Sequence, residues 1–132
     1  MKNLALLLLL SGVLFSCNND DDLSDTELVG TWKLIEVFQD PGDGSGTFER
    51  VISEKTITFE SDNTISSNGD LCDLGITSDS PTFGIYSEDD MTLTSTDCRF
   101  PNTVLNLRQD GNTISIWYPC FEGCASKYIK LK

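Results

Sequence analysis

From Thr31 to the C-terminus, apolar and polar residues alternate with a period of two, in short runs broken by Asp, Asn, Gly and Ser. Such a period puts one side of each run on a buried face and the other in solvent, the mark of half-buried β-strands. No long stretch repeats at the helical period. The runs predict strands over Thr31–Phe38, Lys55–Glu60, Thr64–Asn68, Thr82–Tyr86, Met91–Ser95, Thr103–Gln109, Thr113–Tyr118 and Ser126–Lys132, with a weaker one over Phe48–Ile52. Between them Ser61-Asp62-Asn63, Glu88-Asp89-Asp90 and Asp110-Gly111-Asn112 suit the type I and left-handed conformations of tight hairpins. The long connections are Gln39–Thr47 and Gly69–Pro81. Short strands joined mainly by hairpins predict an all-β, up-and-down antiparallel barrel of about eight strands, which pairs its last strand with its first and leaves no edge exposed. A sandwich would need longer crossovers.

Following the apolar phase of each run, the interior is expected to hold Trp32, Leu34, Ile57, Phe59, Ile65, Phe83, Ile85, Met91 and Leu93, then Leu105, Leu107, Ile114, Ile116, Ile129 and Leu131. Ile35 and Val37 are apolar on the other face of the first strand, which calls for a bulge or a covering loop. An eight-stranded barrel is just wide enough to be filled by side chains or to hold one small ligand. Bulky residues at nearly every inward position favour filling. A cavity near the open end would be apolar, lined by Trp32, Leu34, Phe59, Phe83, Ile85, Met91, Leu105 and Ile116, and suited to a small hydrophobic ligand. A second kind of site lies in the aromatics Trp117, Tyr118, Phe121 and Tyr128. Trp117 falls on the outward phase, and the group reads either as a rim anchor for an extracellular protein or glycan, or as residues covered by a loop or a first helical turn.

The first 25 residues break the alternation. Lys2 is followed by nearly unbroken leucine from Leu4 to Leu10, and small residues end the apolar stretch before Cys17. Residues 1–16 therefore read as a secretory signal peptide. From Leu4 to Phe15 there are 12 residues, too few for a bilayer core that needs about 20 helical residues. Residues 17–25 are polar and acidic, a tether with nothing to bury. Ser24-Asp25-Thr26-Glu27 offers an N-cap and a Glu three residues on, so one helical turn is expected before the first strand. The remaining residues, 26–132, are enough for one domain.

Composition narrows the chemistry. Nine basic against 21 acidic side chains give a net charge of −12, which disfavours nucleic acid and other anionic partners. The absence of histidine removes His-dependent catalysis and His-ligated metal. No nucleophile elbow, phosphate-binding Gly-rich loop or His-Glu-x-x-His is present, so no catalytic residue, cofactor or metal is assigned and a non-enzyme is expected. Asp89 and Asp90 read as solvated turn residues, and Asp40-Pro41-Gly42-Asp43-Gly44-Ser45-Gly46 lacks the ligand spacing of a calcium loop. With Cys17 set aside, four cysteines allow three pairings. Cys120–Cys124 is preferred because Gly123 supplies a tight turn, and with it Cys72–Cys98, which ties the long loop to the segment after Ser95. A zinc site is the alternative, weakened by the lack of histidine and of paired C-x-x-C motifs.

Leu14-Phe15-Ser16-Cys17 resembles the bacterial lipobox. The resemblance implies that Cys17 becomes the first mature residue, acylated on its sulfur and its amine, leaving 116 residues of net charge −13 once Lys2 is lost. Two or three acyl chains hold a protein on a membrane durably, whereas one does not. Asn18-Asn19-Asp20-Asp21-Asp22 resembles the acidic signal that follows the lipidated cysteine in Gram-negative surface lipoproteins, and otherwise serves as a spacer. Asn18 does not fit inner-membrane retention, so the outer membrane is implied, facing the cell surface or the periplasm. Leu28-Val29-Gly30-Thr31-Trp32-Lys33-Leu34, Ile57-Thr58-Phe59-Glu60-Ser61-Asp62-Asn63-Thr64 and Tyr128-Ile129-Lys130-Leu131 together resemble the lipocalin-like domains of bacterial lipoproteins. That resemblance spans Leu28–Lys132 and implies a calyx with Trp32 plugging its closed end. The Arg that often covers this Trp in lipocalins proper has no counterpart assigned by the pattern.

Overall fold

The structure, a computed structural model, describes residues 27–100 and 102–132; the signal segment, Cys17 and the acidic tether lie outside the described residues, as does the Ser24 turn apart from Glu27. Among the described residues nine strands form one antiparallel sheet: β1 (Gly30–Gln39), β2 (Phe48–Arg50), β3 (Thr56–Phe59), β4 (Thr64–Ser67), β5 (Thr82–Ser87), β6 (Thr92–Thr94), β7 (Val104–Asp110), β8 (Thr113–Tyr118) and β9 (Cys124–Lys130). The order is β2-β1-β3-β4-β5-β6-β7-β8-β9, and β9 pairs back onto β1 to close the barrel. β9 occupies one edge of β1 almost throughout, so β2 and β3 share the other edge, β2 against Glu36–Phe38 and β3 against Gly30–Lys33. They are two pieces of one line, and eight lines run round the barrel. The up-and-down barrel expected from the alternation is the fold.

Antiparallel order sorts the connections by end. The tight turns after β3, β5 and β7 lie at the end where β1 begins, with Asn63, Met91 and Gly111 at positive φ. The longer connections, 40–47, 68–81, 95–103 and 119–123, gather at the opposite end.

The register of β1 against β9 shifts between Leu34 and Glu36, a bulge at Ile35. One extra residue inverts the side-chain phase. Trp32 and Leu34 face inward before the bulge, while after it Val37 packs against the core and Phe38 turns out beside Ala125. The two apolar faces of this strand thus serve in succession.

Trp32, Leu34, Ile57, Phe59, Ile65, Leu93, Leu105, Leu107, Ile114 and Ile116 are buried in one cluster, with Met91 partly buried against it. Two strands run in the phase opposite to the expected one. On β5, Phe83 and Ile85 point outward, 63% and 61% exposed. The cause is pairing: Ile65 lies opposite Gly84, and Leu93 opposite Tyr86. Directly opposed residues share a face, so buried Ile65 and Leu93 bring Gly84 and Tyr86 inside. A Cβ on Gly84 would meet the Thr94 carbonyl oxygen, so this position admits only glycine without displacement. Tyr86 stacks edge-on against Phe59 at 4.9 Å and donates to the Glu60 carbonyl at 2.8 Å. On β9, Tyr128 is opposite Leu34 and faces inward with Ser126, which leaves Ile129 half-buried on the outer face and Leu131 exposed beyond the strand.

Candidate functional site

The closed end is built around Trp32. Its indole N–H donates to the Leu28 carbonyl at 2.8 Å, and both residues are fully buried. The Lys130 ammonium stands 5.4 Å from the ring centroid and donates to the Glu27 carbonyl at 2.6 Å. A lysine from the last strand therefore covers the tryptophan, a favourable cation–π placement.

The opposite end is capped from within the chain. Leu71, on the 68–81 connection, is fully buried and belongs to the barrel core. Lys55, also fully buried, donates to the Gly75 carbonyl at 2.7 Å, and Ser53 donates to the Ile76 carbonyl at 2.6 Å. Burial pushes the Lys55 ammonium below its ordinary pKa, opposed by the charges of Asp73 and Asp70. Thr82 on β5 clasps the start of the loop, donating to the Gly69 carbonyl and accepting from the Leu71 amide. Cys72 is bonded to Cys98 and so ties this cap to the 95–103 connection. Deeper in, the Tyr118 hydroxyl lies 3.2 Å from Ser126 Oγ. Burial pushes Tyr118 up to about 12 and Tyr128 well above the usual phenol value, so both stay protonated at neutral pH.

Tyr118 and Tyr128 are thus core residues, a correction to their expected place on the rim. The period of two carried the signal, since Ile114 and Ile116 face inward and Tyr118 continues their row. Trp117 is outward but half-buried, with its ring 5.5 Å from Phe38 and 6.3 Å from Phe48 on β2. Arg108 stacks over it at 4.8 Å, and Lys127 sits over Phe48 at 3.8 Å while pairing with Glu36 at 2.7 Å. The cover is therefore β2. Of the four aromatics only Phe121 stands fully exposed, on the turn closed by Cys120–Cys124, where Gly123 takes a φ of 86°.

The interior candidates Trp32, Leu34, Phe59, Leu105 and Ile116 are packed into one another. None of them lines the principal depressions of the described residues, which measure about 290 to 430 Å³ and all open onto the outer surface or the loops. The Asp40 loop is likewise closed on itself. Its carboxylate accepts the amides of Gly42, Gly44 and Gly46, which hold its pKa below the usual carboxylate value, Gly42 most of all.

What the phase inversion of β5 builds lies outside the barrel. Cross-strand pairing aligns Thr31, Thr58, Ser66 and Phe83 in one outer row, and Thr64, Ile85, Thr94 and Val104 in the next. Val104 is 53% exposed and Phe100, on the adjoining connection, 70%. A groove of about 290 Å³ runs along Phe83 and Ile85, bordered by Thr94, Thr96 and Asn102. Asp97 accepts the Phe83 amide at 2.8 Å and Ser95 donates to the Phe83 carbonyl at 2.5 Å, so the backbone presenting the ring is held on both sides. Sequence reasoning missed this face because Phe83-Gly84-Ile85-Tyr86 alternates equally well in either phase. The sign that was available was Gly84, a residue that marks close backbone approach in a strand.

The sequence matches no family model and no curated protein. A solved structure, described as a DUF4847 family protein from Bacteroides vulgatus, is 12% identical and superposes with a TM-score of 0.48, covering 83% of this chain and 99% of that one. The functional reading rests on the chain's own side chains.

Proposed function

We propose that this protein is a non-catalytic surface lipoprotein, a lipocalin-like barrel anchored through acylated Cys17 and held off the membrane by residues 18–25. It works as an interaction module, meeting an extracellular partner with the outside of the barrel. The observation that carries the reading is the division of apolar side chains. The inward side chains pack into one buried cluster that includes Leu71 of the cap, while Phe83, Ile85, Phe100 and Val104, four of the large exposed hydrophobics, collect on the β5–β7 side. Soluble proteins seldom expose a contiguous apolar patch without an interaction to use it. A small-ligand carrier would keep such residues inside and leave the space between them empty.

Photo-crosslinking on cells tests this. A benzophenone amino acid at Ile85 is expected to give a covalent adduct with a surface macromolecule, and the same residue at Ser115 on β8, three strands away, none. Equal labelling at both positions, or none at either, would contradict the proposal.

A further inference from the structure

Resting on the interaction-module reading, we infer that the β5–β6 groove binds a neutral polysaccharide, with one sugar ring stacked on Phe83. The argument is the match between the groove and the two-sided chemistry of a pyranose, which has an apolar C–H face and a rim of hydroxyls. Phe83 and Ile85 supply the apolar floor, and Phe83 is fixed by hydrogen bonds to its own amide and carbonyl. The hydroxyls of Thr94 and Thr96 and the amide of Asn102 stand along its border, each able both to donate and to accept. The groove opens directly onto the two outer rows of Thr and Ser, where a longer chain of sugars continues across the sheet.

Charge selects among occupants. Among the described residues the side chains lining the groove are uncharged, the Asp97 carboxylate beside them is engaged by the Phe83 amide, and the whole chain carries −12. A neutral occupant forfeits nothing there, whereas an anionic one meets the unfavourable field of the Asp97 carboxylate and of the net charge. A protein partner fits less well. Protein interfaces draw their energy from Trp, Tyr and Arg, and Ser, Thr and Val are under-represented among such residues, whereas hydroxyl and β-branched residues make up most of this face.

Native electrophoresis of the purified mature protein, in gels containing dextran, glycogen, galactomannan or xylan, tests the inference, with polygalacturonate as the anionic comparison. Retardation is expected in at least one neutral gel and none in polygalacturonate. Phe83→Ala should weaken that retardation by about tenfold, the loss of one stacked aromatic contact, with an unchanged melting curve because the ring is exposed. Thr96→Glu, which adds a carboxylate to the groove without removing apolar surface, should weaken it as well. No retardation in any neutral gel, retardation that survives both substitutions, or retardation by polygalacturonate alone would overturn the inference. If the gels show nothing while Ile85 crosslinks to a protein, the sugar is wrong and the interaction module stands. If both fail, both readings fall.

Discussion

Replacing Trp32 with alanine is expected to cost about 3 to 5 kcal/mol, the range for deleting a large aromatic from a packed core. The side chain is fully buried, its indole N–H is bonded to the Leu28 carbonyl, and Lys130 lies over its face. Alanine removes the ring, leaves that carbonyl without its indole donor and takes the aromatic face away from the Lys130 ammonium, which keeps its bond to the Glu27 carbonyl. Domains of this size hold only about 5 to 15 kcal/mol in total, so the variant should be largely unfolded at moderate denaturant. Chemical denaturation followed by far-ultraviolet circular dichroism measures the loss. A midpoint close to that of the parent would show that the closed end does not depend on this residue.

The second large effect belongs to the cap. Cys72 and Cys98 are 26 residues apart in sequence, and a closed loop of that length stabilises by about 3.5 kcal/mol in the chain-entropy model. Cys72→Ser with Cys98→Ser should lose about that much in denaturant unfolding. Leu71 adds to the expectation, because its burial in the core requires the tethered loop to stay seated. Cys120 and Cys124 close a much shorter ring, of sequence separation 4, and their replacement by serine should cost markedly less. Equal losses for the two pairs would mean that the cap is not an integral part of the core.

The strands were legible because alternation is local: each run between Asp, Asn and Gly punctuation shows its own period, and the expected boundaries fall within two residues of the observed ones. Which phase of a run faces inward is decided elsewhere in the chain. Phe83 and Ile85 look like core residues until Ile65 is placed opposite Gly84 and Leu93 opposite Tyr86, and within β5 itself only Gly84 hints at that pairing. β9 is the same case, since its inward face carries Ser126 and Tyr128 rather than the more apolar Ile129 and Leu131. The bulge at Ile35 was foreshadowed by apolar residues on both faces of β1, and of the cap only its Cys72–Cys98 tie was foreshadowed, not the burial of Leu71 and Lys55. Lys55, fully buried beneath it, reads in sequence as an ordinary polar strand position. Because the outer groove follows from the phase of β5, a candidate site drawn from the sequence alone placed its two main side chains inside the barrel.

The barrel interior is packed with its own side chains, and the proposed binding face lies outside it. Empty apolar cavities in proteins stay dry and take up xenon. Crystals of the chain starting at Asn18, pressurised with xenon and examined by diffraction, test the claim most directly. No xenon is predicted in the core that holds Leu34, Leu105 and Ile116, and a well-occupied site among those three residues would contradict it.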